Sequence, residues 1–564
     1  MTRKRRHQQI FVRAVEAQLD GRLADAARQL RRLLRDKPRD HEAIHQLGLV
    51  RWQQGAPEEA LGLLESSAAM DPTEGRYQAN LGNLYQSTGN TRGALAALQR
   101  SVALQPENAS VWSSLGVALR VDGQLDDSVS ALRQATALDP DNAAAFQNLG
   151  SALEQLGALD AATDALERAS EIQPADPEIW TALGKVSERR GVLPQAESLY
   201  RRALLCDRQH SPAWSNLGGL FCRRGSLEAA IDACERAIAA DPSQADAYTH
   251  FGLALREQGH PGPAAATWQR GLQVRATPEA LLNLSDVLEE LGQDEPSAGA
   301  LAELLERFPA FVPGWLAHGR RLLVGGDRDA AIAALEHVLS LDPGSEEARH
   351  FLCAATGEAQ VRAPVGYVRE LFEEYAGRFE QSLTKTLSYQ TPSELVLLLG
   401  PEPLDTVVDL GCGTGLVGPL VRDRCSRLIG VDLSPKMLAQ ARAKDVYDDL
   451  IVGDMESVLH QLGPIDLAIA ADVFIYVGDL SGVLAACATT QLLFSVEAHT
   501  GTEDWVLRST GRYAHSVDYV RRLAAASDYT VEVAAAAPLR KERGEWVDGT
   551  LFRLRRVSPG AHTP

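Results

Sequence analysis

Three glycines follow a short apolar run in the stretch VVDLGCGTG, residues 407–415. Glycines at this place allow a tight turn after a strand and let a ligand approach the main chain. Asp432 lies 17 residues after Gly415, at the end of the next apolar run. A carboxylate in that position can accept hydrogen bonds from the hydroxyl groups of a ribose. The pattern therefore predicts a binding site for a ligand that contains a ribose.

The spacing of these glycines separates two classes of nucleotide-binding protein. A dinucleotide-binding Rossmann enzyme favours GxGxxG, whereas this stretch has the form D/E-x-G-x-G-x-G, which resembles the class I methyltransferases that bind S-adenosylmethionine (SAM). The resemblance implies a Rossmann-like α/β domain with SAM as its cofactor. It implies cofactor contacts at Asp409, Gly411, Cys412, Gly413, Gly415, Asp432, Leu433, Met437, Asp454, Met455, Ala471 and Asp472.

The stretch AADVFIYVGDL, residues 470–480, marks the place where an acceptor would lie. In the methyltransferase fold the methionine part of SAM meets the acceptor at the end of the fourth strand, so the resemblance places Asp472, Phe474 and Tyr476 at the floor of the acceptor site. The stretch differs from the Asn/Asp-Pro-Pro-Tyr/Phe loop of enzymes that methylate adenine N6 or glutamine amides. Those acceptors are therefore disfavoured.

A general base is needed only for some acceptors. Attack on a sulfonium methyl group depends mainly on alignment and on exclusion of water, and a carboxylate acceptor has no proton to lose. The candidate catalytic residues are Tyr476, His515 and Glu497. Arg512 and Tyr513 can orient an anionic acceptor or close a lid over it. Alternatively, residues 511–516 cap a helix that begins near Ser516.

An alternation of apolar runs with helix-length segments must position these residues. The apolar runs are Val407–Leu410, Leu428–Val431, Leu450–Val452, Ile465–Ala470 and Leu492–Val496. This order predicts a doubly wound α/β sheet. Upstream, Phe372, Tyr375 and Phe379 share one face of a helix, which closes over the SAM site in such enzymes or packs in the core.

A second pattern fills about the first 350 residues, where a proline, two glycines and a small residue recur with a period of 34. The prolines stop the second helix of each unit, and the small residues let two helices approach closely. These columns resemble the tetratricopeptide repeat. The resemblance implies about ten helix pairs in a right-handed superhelix whose concave face receives extended peptide.

One column of the repeats, two residues before the first glycine, is dominated by the carboxamide side chains of asparagine and glutamine. Its predicted substrate-binding members are Asn80, Asn148, Asn216 and Asn283. An asparagine carries both a donor and an acceptor, so a row of them on the concave face can bind the backbone of a peptide or protein. Alternatively, these residues are polar groups on helix surfaces that bind no ligand.

The two patterns divide the chain. They predict an all-α superhelix over residues 1–356, a linker over 357–366, and a SAM-dependent methyltransferase domain with an N-terminal helical cap over 367–564. The stretches that flank the glycine motif, residues 367–395 and the region around 492–528, resemble bacterial predicted methyltransferases that carry tetratricopeptide repeats. That resemblance implies the reaction type and leaves the acceptor atom open.

Composition excludes several classes of function. The formal charge of −19 and the 6% aromatic content disfavour nucleic acid as a partner, since phosphate binding needs clustered Lys and Arg. With no apolar run near the roughly 20 residues that cross a bilayer, we expect a cytoplasmic protein without membrane contact. The seven cysteines show no metal-ligand spacing, which argues against a zinc site and against disulfides.

Three functions remain open from the sequence. The first is an active methyltransferase whose repeats recruit a peptide or protein acceptor. The second is an enzyme that acts on a small molecule, with the repeats serving assembly. The third is a repeat scaffold with a vestigial SAM fold, which the intact Asp409, Gly411, Gly413, Gly415 and Asp432 disfavour. The oligomeric state does not follow from the sequence.

Overall fold

The structure is a computed structural model that describes residues 3–376, 379–381, 383, 388–542 and 545–557. The chain divides into two compact units, Met1–Ala254 and Leu255–Pro564. The helix α15, Ala245–Glu257, spans the boundary. Across the described ranges, no helix has both the length and the apolar character that a membrane span requires.

Pairs of helices joined by short turns form the first unit. Their bounds are α1 (Arg3–Leu19), α2 (Leu23–Asp36), α3 (His41–Gln53), α4 (Pro57–Met70), α5 (Gly75–Ser87), α6 (Thr91–Leu104), α7 (Ala109–Val121), α8 (Leu125–Leu138), α9 (Ala143–Leu156), α10 (Leu159–Ile172), α11 (Pro177–Arg189), α12 (Leu193–Cys206), α13 (Ser211–Arg223) and α14 (Leu227–Ala240). The predicted repeat of helix pairs is thus confirmed for this part of the chain.

The turns explain why the chain folds as pairs. Within each pair the second glycine column supplies the turn, with φ between 70° and 85° in every repeat from Gly55 to Gly259, a conformation that side chains disfavour. Where a column proline is present, the second helix ends two residues before it, as α6 does at Leu104 before Pro106. In several repeats an asparagine or aspartate side chain then caps the next helix, as Asn108 does for α7.

Small residues set the distance between the two helices of a pair. The column from Ala60 to Ala264 has no exposed surface at any of its positions. Gly82 on α5 lies equally close to α6, since a Cβ atom there would stand 2.6 Å from Leu98 Cγ. The predicted close approach of the helices therefore depends on small side chains from both members of a pair.

Helix pairs continue into the second unit, where the chain then turns to an α/β arrangement. Its repeat helices are α16 (Pro261–Val274), α17 (Pro278–Glu290), α18 (Asp294–Arg307), α19 (Val312–Val324), α20 (Arg328–Leu341) and α21 (Glu346–Thr356). The remaining helices are α22 (Val365–Tyr375), α23 (Phe379–Gln381), α24 (Thr391–Leu397), α25 (Gly418–Val421), α26 (Pro435–Ala443), α27 (Met455–Leu459), α28 (Ser481–Ala486) and α29 (Val517–Ala526).

The sheet of the second unit has the order β3-β2-β1-β4-β5-β7-β6, and β9 joins β5 to β8. Its strands are β1 (Leu404–Leu410), β2 (Cys425–Asp432), β3 (Asp449–Val452), β4 (Ile465–Ala470), β5 (Thr489–Ala498), β6 (Trp505–Leu507), β7 (Tyr513–His515), β8 (Tyr529–Glu542) and β9 (Glu545–Arg556). The first five pair in parallel along that order. They correspond to the five predicted apolar runs, so the Rossmann-like fold class is confirmed.

Both faces of the central strands are covered. Val408 and Leu410 of β1 belong to one buried apolar cluster, and Val407 of the same strand belongs to another. Side chains that alternate along a strand point to opposite faces, so a strand buried on both faces reads as a continuous apolar run. This burial explains why the parallel strands can be found in the sequence.

The segment that the sequence predicts as a linker, residues 357–366, makes main-chain contacts in the second unit. The carbonyl of Val361 accepts hydrogen bonds from the N–H groups of Gly478 and Asp479, at 2.8 and 2.9 Å. The segment therefore pairs with the chain that follows β4.

We expect Gly82→Ala to destabilise the repeats. The added methyl group would meet Leu98, and overpacking of this kind costs about 1–3 kcal/mol, more than the roughly 1 kcal/mol that alanine gains over glycine in a helix. The matched control is Gly62→Ala on α4, where a Cβ atom would have no neighbour within 4 Å. Thermal unfolding of the full chain, followed by far-UV circular dichroism, should give a lower midpoint for Gly82→Ala and an unchanged or higher one for Gly62→Ala. Equal midpoints would contradict the close packing of α5 on α6.

Candidate functional site

A glycine loop follows β1 at the carboxyl edge of the sheet. Gly411, Gly413 and Gly415 have φ values of 61°, 55° and 83°, so the loop takes a left-handed path at each of the three. The N–H of Cys412 donates to the carbonyl of Val431 at 3.0 Å, which ties the loop to β2. The loop therefore turns sharply while its main chain stays beside the end of the next strand.

Asp432, the last residue of β2, faces this loop. Its Oδ2 accepts a hydrogen bond from the N–H of Gly413 at 2.9 Å, and its Oδ1 accepts one from the N–H of Ser434 at 2.8 Å. Burial raises the pKa of this carboxyl above its ordinary value. The predicted ribose-binding acid and the glycine loop thus lie in direct contact.

Asp409 lies behind the loop rather than on its open side. Its Oδ2 accepts a hydrogen bond from the hydroxyl of Tyr447 at 2.6 Å, and that hydroxyl accepts one from the N–H of Gly418 at 3.1 Å. A Cβ atom on Gly415 would stand 2.8 Å from the Tyr447 ring. Burial raises the pKa of Asp409 to about 7. The Asp409–Tyr447 pair therefore supports the loop from beneath, a role of Tyr447 that the sequence analysis did not identify.

Aromatic side chains of the cap lie over the open side of the loop. A Cβ atom on Gly413 would stand 3.5 Å from the Phe379 ring. Phe372 meets both Phe379 and Tyr476 edge to face, with ring centroids 5.9 and 5.6 Å apart. The cap is attached to α26 by hydrogen bonds from Gln440 and Lys444. Phe379 thus lies over the glycine loop, and Phe372 connects it to Tyr476.

Asp454 follows β3 and caps α27. Its Oδ1 accepts hydrogen bonds from the N–H groups of Glu456 and Ser457, at 3.2 and 3.4 Å. Its Oδ2 lies 2.6 Å from Nη2 of Arg362, a residue that precedes the first strand of the sheet in the chain. The residue predicted at the adenine end is therefore held by three donors.

The other predicted cofactor residues surround the same strand ends with different exposure. Cys412 is buried in the loop, and Met437 on α26 has no exposed surface. Leu433, Met455 and Ala471 are partly buried against apolar clusters. Leu433, Met455 and Ala471 can therefore offer surface to a ligand, whereas Met437 packs beneath the site.

Asp472 follows β4 with a φ of 60°, which is unusual for a residue other than glycine. Such strain persists only where the surroundings enforce it. Here the N–H of Asp472 donates to Ser495 Oγ at 2.8 Å, and its Oδ2 pairs with Nη1 of Arg540 at 2.7 Å. Arg540, a buried residue of β8, also pairs with Glu497 and Glu542. Sequence analysis did not identify this arginine, because it lies 68 residues after Asp472.

The two candidate bases are enclosed. Glu497 is 2% exposed and pairs with Arg508 at 3.0 Å and with Arg540. His515 has no exposed surface, its Nε2 lies 3.0 Å from the Gly478 carbonyl oxygen, and burial lowers its pKa to about 4. A base must reach the proton that it removes. In this structure Glu497 and His515 therefore make their contacts within the buried part of the domain.

Three further residues of the predicted acceptor site differ in exposure. Phe474 and Tyr513 have no exposed surface. Phe474 packs on Phe494 in the core, and Tyr513 donates its hydroxyl hydrogen to the Gln360 carbonyl at 2.7 Å. Arg512 is partly exposed and pairs with Glu542. Tyr476 and Arg512 are therefore the members of the predicted set that retain surface.

The asparagine column lies on the first helices of the repeats, where Asn80, Asn148, Asn216 and Asn283 are all partly buried. The amide of Asn80 lies 2.9 Å from Nε2 of His45, whose pKa is lowered by burial to about 4. A neutral ring can accept the hydrogen bond of the amide. Asn80 is therefore engaged within the repeats, which distinguishes it from a side chain that offers its amide to a ligand.

Comparison with known families agrees with this arrangement. Residues 408–490 match a model described as a methyltransferase domain. Models of the tetratricopeptide repeat match residues 12–74, 51–116, 120–186, 181–245 and 279–310. The α/β part of the chain is thus a class I methyltransferase domain. The whole chain joins that domain to an array of tetratricopeptide repeats.

Similar curated proteins match the chain over short stretches. The 18S rRNA (guanine-N(7))-methyltransferase of Bos taurus is 42% identical over 66 residues, which is 12% of this chain and 24% of that protein. The malonyl-[acyl-carrier protein] O-methyltransferase of Salmonella typhimurium is 31% identical over 114 residues, 20% of this chain and 45% of that protein. The chain thus spans less than half the length of these relatives.

Two solved structures are similar to part of the chain. A crystal structure of MamA is 24% identical, with a TM-score of 0.28, over 29% of this chain and 95% of that one. PilF of Pseudomonas aeruginosa is 24% identical, with a TM-score of 0.33, over 37% of this chain and 96% of that one.

We expect Asp409→Asn to remove part of the pH dependence of stability. The folded pKa of Asp409, about 7, lies above the unfolded value of about 3.9, so the folded wild type loses stability as pH rises between these values. Asparagine stays neutral and still accepts the Tyr447 hydrogen bond. The variant should therefore melt higher than the wild type, and by a larger margin near pH 8 than near pH 5, as measured by thermal unfolding.

The control for this prediction is Asp405→Asn, which changes an exposed carboxylate on the same strand. This control should leave the difference in melting temperature between pH 5 and pH 8 the same as in the wild type. If Asp409→Asn also melted like the wild type near pH 8, the burial of a charged Asp409 would not limit stability.

Proposed function

We propose that this protein transfers a methyl group from SAM to a peptide or protein acceptor. The observation that carries the proposal is the contact between the Asp432 carboxylate and the Gly413 main chain, 2.9 Å apart at the ends of two neighbouring parallel strands. This arrangement suits a ligand whose ribose binds the acid while the rest lies along the loop.

The residues at the strand ends fit SAM. Gly413 has no side chain, and a Cβ atom there would be in van der Waals contact with the Phe379 ring, 3.5 Å away. Asp432, at the end of β2, would hold the ribose, and Asp454, at the end of β3, would hold the adenine. Asp472, at the end of β4, would lie at the methionine end. The donors and acceptors thus follow the order of the strands.

The chain's own residues would then align and enclose the reactants. When bound, SAM supplies a methyl group on a sulfonium centre that a nucleophile can attack in line. Phe372 and Phe379 would exclude water from the site, and Tyr476 would form the floor on which the acceptor lies. Alignment of this kind contributes up to about 7–11 kcal/mol to a reaction that joins two molecules.

The site best suits an acceptor group that can be methylated without a general base. Glu497 and His515 are enclosed, so an acceptor that is already deprotonated, such as a carboxylate, suits the site. Arg512, which is partly exposed, offers a positive charge near the same edge. The malonyl-[acyl-carrier protein] O-methyltransferases among the relatives act, by their name, on a group carried by a protein.

The repeats supply the second part of the proposal, since tetratricopeptide repeats suit recognition of an extended chain. The relatives named as rRNA methyltransferases suggest another acceptor, but the formal charge of −19 opposes binding to a phosphate backbone. A small-molecule acceptor, with repeats that serve assembly, is the alternative that experiments on the repeats distinguish.

We expect Asp432→Ala to weaken binding of SAM and of S-adenosylhomocysteine by roughly ten- to a hundredfold, because hydrogen bonds to a charged group contribute about 1.5–3 kcal/mol. Isothermal titration calorimetry on the full chain measures this. Asp423→Ala, which changes an exposed acid of the same domain, is the control and should bind like the wild type. Unchanged affinity in Asp432→Ala would rule out the ribose assignment, and absence of binding to the wild type would rule out SAM.

We expect the double change Asn148→Ala and Asn216→Ala to lower methyl transfer to peptides with little effect on stability. Each lost hydrogen bond costs about 0.5–1.5 kcal/mol of binding, so the rate from labelled SAM to a random peptide library should fall severalfold below saturation. Asn80→Ala is the contrast, because it removes the contact with His45 and should lower the melting temperature. An unchanged rate in the double variant would favour the small-molecule alternative.

A further inference from the structure

Residues 360–363, called the junction segment below, lie between α21 and α22. Their main chain forms an antiparallel bridge with Val477, and the N–H of Ala363 donates to the Tyr476 carbonyl at 2.9 Å. Together with the bonds from Gly478 and Asp479 to Val361, these contacts attach the segment along the chain that follows β4. The junction segment is therefore held by main-chain hydrogen bonds beside the proposed acceptor floor.

Buried groups hold the junction segment in place. Oε1 of Gln360 lies 2.7 Å from Nδ1 of His350 on α21, and the Gln360 carbonyl accepts the Tyr513 hydroxyl at 2.7 Å. His350 has no exposed surface, and its Nε2 lies 2.8 Å from the Gly511 carbonyl oxygen. Residues of the last repeat helix and of strand β7 thus both bind the junction segment. These contacts leave the segment little freedom to shift.

The side chain of Arg362 reaches from this fixed main chain to two acids beyond β3. Its Nη2 lies 2.6 Å from Oδ2 of Asp454, and its Nη1 lies 3.4 Å from Oε1 of Glu456. The three side chains are partly buried, with Arg362 31% exposed and Asp454 20% exposed. Two acids so close repel one another unless a cation lies between them. Arg362 therefore sets the direction of the Asp454 carboxylate.

The hydrogen bonds of Asp454 leave it room for one more donor. A carboxylate offers about four acceptor positions, two on each oxygen. Within the described residues, Oδ1 of Asp454 accepts from two main-chain N–H groups and Oδ2 from Arg362. The remaining position belongs to Oδ2, the oxygen that Arg362 orients.

We infer that Arg362 is a positioning residue for the cofactor: it holds Asp454 so that the free position on Oδ2 meets the 6-amino group of the adenine. This inference rests on the proposed function, in which Asp454 lies at the adenine end of SAM. Arg362 itself touches neither the reacting atoms nor the acceptor. The junction segment thereby holds the proposed acceptor floor through its main chain, and it orients the acid at the adenine end of the site through the side chain of Arg362.

The test compares two ligands that differ only at the adenine amine. S-adenosylhomocysteine carries the 6-amino group, and its 6-deamino analogue carries hydrogen there. For Arg362→Ala in the full chain, calorimetry should show a Kd for S-adenosylhomocysteine that rises about tenfold, the lower end of a hydrogen bond to a charged group. The Kd of the deamino analogue should change less than about twofold, because that ligand makes no bond to Asp454.

Two further variants separate positioning from general packing. Arg362→Lys keeps the charge without the paired geometry of a guanidinium, so it should weaken binding of S-adenosylhomocysteine selectively but by a smaller factor. This variant replaces Arg362→Ala in the test if Arg362→Ala does not fold. Glu456→Gln leaves the Arg362–Asp454 contact in place and should bind both ligands like the wild type. Melting temperatures of all variants report folding independently of the ligands.

The possible results are distinct. Selective loss of affinity for S-adenosylhomocysteine supports the inference. Equal weakening of both ligands, or no weakening of either, overturns it while the proposed cofactor stands. If the wild type bound neither ligand, the proposed function would fail and this inference with it.

Discussion

The hydrogen bond from the Gly413 N–H to the Asp432 carboxylate joins the two strands on which the site is built. β1 and β2 pair in parallel from Leu404 with Cys425 to Leu410 with Val431, so both strands end at one edge of the sheet. Asp454 and Asp472 follow the next strands on either side at that same edge. Because all four parallel strands share one direction, the glycine loop and the three acids lie along one edge of the sheet.

The sequence predicted the parts of the structure that depend on local chemistry. The glycine loop needs left-handed φ values, and the repeat turns need prolines and glycines at fixed places, so both patterns are visible in the chain. Strands β1–β5 were visible because they are buried on both faces. Strand β8 was not, since its run of four alanines around residue 535 resembles a helix and forms a strand only by pairing with β9.

The rest of the candidate site depends on contacts between distant residues. Tyr447 supports a loop that precedes it by about 30 residues, and Arg540 and Arg362 reach acids that lie roughly 70 to 90 residues away, so no spacing in the sequence reveals these pairs. The opposite error arose at β7. Tyr513 and His515 were predicted at the acceptor site from their position along the chain, which does not reveal whether a side chain points outward, and both are buried.

The bond between His350 and the Gly511 carbonyl has a consequence for how such chains can be recombined. His350 belongs to the last repeat helix, and Gly511 precedes β7. Recombination at the boundary between the repeats and the α/β domain would therefore separate two buried residues that are hydrogen-bonded to each other. Each buried polar group left without a partner costs about 1–3 kcal/mol. Recombination that keeps the α/β domain intact must therefore keep α21 with it. We expect repeat arrays to be exchanged among such enzymes upstream of that helix, where the new junction disrupts only contacts that occur in every repeat.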